Sequence, residues 1–183
     1  MPSAHNTAEF ELLASAAKFI QSEFEKETSP WTGSPFEWVK KLSSASKGKL
    51  GKRLVYQWCA LKGLSIDNSP DSQADMLVNG HRVEIKFSTL WETGIYKFQQ
   101  IRDQNYEYAV CLGISPFNAH CWVASKTLLK THVIGHMGQH TGSSSQETAW
   151  FAVNPQSPPA WLASYGGTLD QAYKVLKGLS NKK

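Results

Sequence analysis

Asp75-Met76-Leu77-Val78-Asn79-Gly80-His81-Arg82-Val83-Glu84-Ile85-Lys86-Phe87 is the stretch that decides the fold. Two short apolar-rich runs flank Asn79-Gly80, a pair suited to a two-residue turn because both positions need positive φ. The pattern predicts two antiparallel strands. Counting outward from the turn, Val78 faces His81, Leu77 faces Arg82, Met76 faces Val83 and Asp75 faces Glu84. Directly opposed residues share a face, with Cβ atoms about 5 Å apart. Strand alternation places Lys86 with Asp75 and Glu84, and sends Met76, Val78, Val83, Ile85 and Phe87 to the other face, towards a core. Two carboxylates and an ammonium thus converge.

Opposed like charges destabilise a sheet, so Asp75 beside Glu84 calls for a compensating cation. Mg²⁺ is the natural choice, with Mn²⁺ as a substitute. It is usually held by one or two carboxylates, with water and substrate phosphate completing an octahedron. Lys86 then stands where it can orient or activate a metal-bound water.

Around this hairpin the pattern is mixed. Asn6 and Glu9 approximate a capping box before an amphipathic helix carrying Phe10, Leu13, Ala17, Ile20 and Phe24. Ser34-Pro35-Phe36-Glu37 supplies the start of a second helix. A third is expected over residues 46–62, with Leu50, Leu54, Trp58 and Leu61 as its buried stripe and Gly63 as its cap. Residues 64–66 suggest a short strand, 96–104 a helix, 106–114 and 120–124 two more strands, and 150–153 a returning strand. Thr168 and Gln171 cap a last helix. The expected fold class is therefore α/β (α+β).

A length of 183 residues suits one domain. We divide residues 1–183 into a helical N-terminal extension (1–45), a catalytic core (46–130) and a loop-rich C-terminal part (131–183). With 41% hydrophobic and 19% charged residues, the bulk of the chain has the composition of a folded protein. Its longest apolar stretch, residues 108–114, falls far short of the roughly 20 residues a membrane helix needs. A basic segment followed by an apolar one is missing from the N-terminus, so a soluble cytoplasmic protein is expected. Cys59, Cys111 and Cys121 are odd in number and lack a CxxC pair, and read as small core residues in a reducing compartment. Seven of the basic residues and one acid fall within residues 37–62, a local excess larger than the net charge of +4. Lys47, Lys49, Lys52 and Arg53 form the basic opening of the third helix and suit a polyanion.

The paired Asp75 and the Glu84-Ile85-Lys86 run, with a helix, three strands, a helix and a strand in order over residues 46–114, resemble the PD-(D/E)xK nuclease superfamily. The resemblance covers about 70 residues and implies a restriction-endonuclease-like core with a mixed central sheet flanked by helices. It implies that Asp75, Glu84 and the Ile85 carbonyl bind the metal and that Lys86 serves the water. Pro70-Asp71 spells the superfamily's name, but Asp71 lies in a loop and is the reserve ligand. Many members add an acid from the preceding helix, and residues 46–62 contain none; Glu37 is a weak substitute. Gln99 or Gln100 matches the glutamine often found after the ExK strand.

The run 98–115, Pro116 and residues 120–126, together with Ser34-Pro35-Phe36-Glu37-Trp38 and Lys47-Gly48-Lys49-Leu50-Gly51, look like small bacterial type II restriction endonucleases. That likeness implies Mg²⁺-dependent cleavage of double-stranded DNA leaving 5′-phosphate and 3′-hydroxyl ends. A homodimer and a cognate DNA methyltransferase in the same genome are the partners it implies. The competing readings are a repair or recombination nuclease (a junction resolvase or mismatch nickase) and a non-catalytic DNA-binding module on the same fold.

His132, His136 and His140 recur at every fourth residue, a metal-aligning spacing on a helix, but Gly135 and Gly138 favour a loop over residues 131–148. Its His140, Ser144 and Gln146, with Ser143 and Ser145, suit contacts to DNA. Trp91, just beyond the ExK strand, is placed to line the cleft.

Overall fold

The structure, a computed structural model, describes residues 8–25, 29–138 and 148–180. Asn79 (φ 52°) and Gly80 (φ 79°) make the expected turn between β2 (Met76–Val78) and β3 (His81–Thr89). The register pairs Met76 with Val83, Leu77 with Arg82 and Val78 with His81, as the two-residue turn requires. β1 (Ile66–Asn68) lies antiparallel on β2. On its other side β3 runs parallel to β5 (Tyr108–Ile114), which pairs antiparallel with β6 (Ala119–Ser125), and β6 with β8 (Gly166–Thr168). The result is a six-stranded mixed sheet of order β1-β2-β3-β5-β6-β8.

Each face of this sheet owns a core, because successive side chains alternate. Val83, Ile85, Val110, Leu112, Cys121 and Val123 pack on one side with Val55 and Cys59 of α2 (Ser44–Leu61) and with Ala172 and Leu176 of α5 (Leu169–Lys177). Ala109, Cys111, Trp122 and Ala124 face the other way. They meet a two-stranded antiparallel sheet, β4 (Tyr96–Ile101) with β7 (Ala149–Val153), and the helices α3 (Lys126–His132) and α4 (Ala160–Ala163). The fold is thus a mixed α+β architecture with helices flanking a mixed central sheet.

Local signals account for several boundaries. The Ser43 side chain accepts a hydrogen bond from Ser46 N at the start of α2, and Gly63 takes φ 75° just past its end. Thr168 and Gln171 form the full capping box of α5. Cys59, Cys111 and Cys121 are all free and buried. Burial pushes the Cys59 and Cys111 thiols up to about 12, which makes them poor nucleophiles.

Four expectations need correction. Residues 96–104 are not a helix: Tyr96 and Phe98 are fully buried and Ile101 nearly so, packed on the sheet, which Tyr96 and Phe98 do only by alternating in a strand. Ser34-Pro35-Phe36-Glu37 leads into a short 3₁₀ turn, Glu37–Lys41, because the Ser34 hydroxyl is taken by Phe36 N and the Pro116 carbonyl. The buried stripe of α2 is Gly51, Val55 and Cys59, while Leu50, Leu54 and Trp58 are half-buried and Leu61 is exposed. The supposed loop over residues 131–148 begins as the end of α3, and its Thr131 and His132 are helical.

The first helix, α1 (Ala8–Glu25), forms as its spacing suggests, but its Phe10, Leu13 and Ile20 are exposed. The cap assigned to Asn6 lies outside the described residues. Among the described residues no helix is long and apolar enough to cross a membrane.

Gly51 explains how α2 comes close to the hairpin: a Cβ there would lie 2.3 Å from Phe87 Cβ. Gly51→Ala should therefore destabilise the protein by about 1–3 kcal/mol, the usual cost of overpacking, in chemical denaturation. Gly48→Ala, three residues earlier with no neighbour within 4 Å of its Cβ, should instead stabilise by roughly 0.5–1 kcal/mol through helix propensity.

Candidate active site

The site forms where β2 gives out. Asp75, one residue before β2, still donates its backbone N–H to Val83 O at 2.9 Å, while its carboxylate Oδ2 accepts from Ile85 N at 2.7 Å. The carboxylate thus continues the ladder that the backbone leaves. A strand residue turns its N–H and C=O to the same side, so the Ile85 carbonyl faces this edge too. The counted register holds as far as Met76 and Val83 and then breaks: Asp75 N donates to Val83 O and its carboxylate accepts from Ile85 N, so Asp75 brackets Glu84 along the β3 backbone and is not paired squarely opposite it. The Glu84 and Asp75 side chains are only 12% and 10% exposed.

Each carboxylate has its own ammonium. Lys86 Nζ lies 2.8 Å from Glu84 Oε1 and donates to the Gln100 carbonyl at 2.7 Å. Lys52, from α2, pairs with Asp75 Oδ1. The Gln100 carbonyl reaches Lys86 because β4 slips register between Phe98 and Ile101, with Gln100 at φ 54°. Such a bulge re-aims a strand locally. Burial raises the Glu84 pKa above its ordinary value, and the nearby Asp75 charge adds to the rise, while Lys86 and Lys52 oppose it.

A cleft of about 980 Å³ opens beside this group. Seven of its lining residues are basic (Lys40, Lys47, Lys49, Lys52, Lys86, Lys97 and Arg102) and two are acidic, Glu84 and Glu92. Desolvation lowers the Lys47 pKa, and the neighbouring Lys40 charge lowers it further. Lys97 sits 3.8 Å from the ring centre of Trp91, which is 45% exposed and lines the cleft as its position suggested. Gln99 and Gln100 line it as well, from a strand and not the expected helix.

The structure gathers Glu84, Ile85, Lys86, Lys47, Lys49, Lys52, Gln99 and Gln100 in the main cleft, and Asp75 joins them through Ile85 N and Lys52 from an adjoining smaller depression. Arg53 does not line the main cleft; it lines that smaller depression with Lys52, Tyr56, Gln57 and Asp75. Asp71 is not gathered: its carboxylate accepts from Gln73 N and pairs with Arg82, and these bonds, the one from Gln73 first, lower its pKa. Glu37 accepts from Gly33 N and serves its own turn. His132 stacks on Trp161 with ring centres 5.0 Å apart. His140, Ser144 and Gln146, with Ser143 and Ser145, lie outside the described residues. Sequence reasoning missed Lys97 and Arg102, whose places follow from β4 and the segment after it, and missed the pairing of Lys52 with Asp75.

Among the described residues no three His, Cys, Asp or Glu side chains gather as a ready metal cage. What the edge offers is two carboxylates and a carbonyl, all hard oxygens, beside an open cleft. That donor set fits Mg²⁺ or Mn²⁺, which leave remaining positions to water and phosphate oxygen.

No protein-family model matches the chain. No curated protein sequence matches it either. Among solved structures, the chain is similar to that of a bacterial homing endonuclease, I-Ssp6803I, at 15% identity and a TM-score of 0.47, covering 74% of this chain and 94% of that one.

The Glu84 environment has a measurable consequence. A carboxyl whose folded pKa is raised contributes stability that is fully present below its unfolded value, near 4.5, and is lost as pH rises through the folded value. In chelator, Glu84→Gln removes this loss. The difference in Tm between Glu84→Gln and the unaltered protein should grow in the variant's favour as pH rises above 4.5. A gap that stays flat between pH 4 and 7 would show that Glu84 is not held in a desolvating site.

Proposed function

We propose that this protein is a divalent-metal-dependent DNA endonuclease that hydrolyses phosphodiester bonds. The observation that carries the reading is that Glu84 and Lys86 line a basic cleft while the Asp75 carboxylate is held beside them by Ile85 N and Lys52. In this reading Asp75, Glu84 and the Ile85 carbonyl hold Mg²⁺, for which Mn²⁺ substitutes. The cation supplies Lewis acidity at the phosphate and lowers the pKa of bound water. Lys86, aimed by Glu84 and the Gln100 carbonyl, orients the attacking water and balances the charge that develops. The water oxygen bonds to phosphorus and the bond to the 3′ oxygen breaks, leaving a 5′-phosphate and a 3′-hydroxyl. Lys47, Lys49, Lys97 and Arg102 hold the DNA backbone, and Gln99 and Trp91 stand where bases or sugars pass.

The finer reading is a type II restriction enzyme acting at a specific double-stranded sequence. Its support is the sequence resemblance around residues 34–51 and 98–126. Cutting both strands of a palindrome takes two sites, and this chain supplies one, so the reading includes a homodimer. It also includes a cognate DNA methyltransferase encoded nearby, whose absence from the genome neighbourhood would favour the repair or recombination reading, with a junction resolvase or mismatch nickase as the activity. A non-catalytic DNA-binding module is the reading left if no cleavage occurs.

The test is digestion of plasmid and phage DNA with Mg²⁺, with Mn²⁺ and in chelator, followed by sequencing of the ends. Asp75→Ala and Glu84→Ala should abolish cleavage while the fold survives. Lys86→Ala should slow cleavage by a factor on the order of 100 to 10,000, with DNA binding retained. Full activity in Asp75→Ala would end this assignment.

Affinity should depend on salt in a way the cleft explains. Each of Lys47→Ala and Lys49→Ala should reduce the slope of log affinity against log salt by about one unit, without changing where cleavage falls. A slope that stays the same in the double variant would mean that these lysines face solvent only.

A further inference from the structure

The four charged groups at the β2 edge balance: Asp75 and Glu84 against Lys52 and Lys86. The two ammonium groups are held differently. Lys86 is 14% exposed and pinned from two sides, by Glu84 and by the Gln100 carbonyl. Lys52 is 52% exposed and reaches Asp75 from the cleft wall at the end of a long flexible stem. Asp75 is asymmetric in the same sense. Its Oδ2 is tied to the β3 backbone through Ile85 N, whereas its Oδ1 is the atom that Lys52 covers.

A half-exposed ammonium gains little from such a pair, since water screens it and its side chain must give up freedom. A divalent cation shared by two desolvated carboxylates gains more, and the ammonium and the divalent cation repel each other at Asp75 Oδ1. The helix that delivers Lys52 carries no acid of its own, so the positive charge there has no local partner on α2.

We propose that Lys52 is a resident counter-ion: it neutralises Asp75 in the metal-free protein and moves off into the cleft when Asp75 and Glu84 take a divalent cation. This rests on the assignment of those two carboxylates as cation ligands. Removing the ammonium then acts in opposite directions on two quantities. The metal-free protein loses stability, because the two buried carboxylates, Asp75 and Glu84, are left with one cation fewer. The affinity for a divalent cation rises, because nothing has to be displaced. A lysine that only contacts phosphate would change DNA affinity and leave cation affinity alone.

The experiment is a titration of the full chain with Mn²⁺, free of DNA, read by the electron paramagnetic resonance of unbound Mn²⁺, with thermal unfolding in chelator alongside. Lys52→Met, which keeps the stem, should bind Mn²⁺ on the order of 10-fold more tightly than the unaltered protein. It should also melt at a lower temperature in chelator. Lys52→Arg keeps the charge and should hold Mn²⁺ affinity near the original, and Asp75→Asn should lose the binding. If Lys52→Met disturbs the fold, Lys52→Gln repeats the test with the charge removed. Equal or weaker Mn²⁺ affinity in the charge-free variant overturns the proposal, as does undiminished binding in Asp75→Asn. Tighter Mn²⁺ binding without DNA cleavage would sink the nuclease reading and keep the counter-ion. Unchanged Mn²⁺ affinity with cleavage intact would do the reverse.

Discussion

Two carboxylates, Glu84 on β3 and Asp75 just before β2, lie near each other almost wholly removed from water, and the local structure is arranged around that repulsion. Neighbouring like charges cost stability in a sheet, and desolvation raises the cost. Three separate elements answer it. The β3 backbone gives Asp75 an N–H donor, α2 gives it an ammonium, and the irregular β4 gives Lys86 a carbonyl that holds it against Glu84. A chain under selection for stability alone would place Thr or Val at these two positions. Retaining the acids and building their neutralisation from distant segments is the pattern of a site.

The hairpin was legible because its information is local. Asn79-Gly80 sets the turn, a two-residue turn sets the register, and register sets which side chains meet. The capping box of α5 and the Ser43 cap of α2 are readable for the same reason: each is a bond between residues three apart. β4 was misread because Tyr96, Phe98 and Ile101 carry no clean period. The bulge at Gln100 shifts the last of them, and the partner strand β7 lies about 50 residues away in sequence.

The α2 stripe was misread for a different reason. Large residues were expected inside, but the helix lies so near the sheet that Gly51, Val55 and Cys59 fit where Leu50 and Leu54 do not. Within the site, the shared face of Glu84 and Lys86 on β3 followed from alternation, whereas counting did not give the bonds of Asp75 to Val83 O and Ile85 N. Nor did it give the contact of Lys52 with Asp75, since that depends on how a helix and a hairpin 23 residues apart come to rest against each other.

The central sheet ends on both sides in strands of three residues, β1 (Ile66–Asn68) and β8 (Gly166–Thr168). Such short margins present little unpaired ladder, which is how many proteins keep a sheet from templating further strands. Residues in the middle of the sheet, with its long apolar runs in β5 and β6, are therefore shielded from fibril-like extension by the brevity of the outermost pieces. Recruitment of another polypeptide through backbone hydrogen bonds is discouraged at both rims, which leaves side-chain surfaces as the places where another polypeptide could dock.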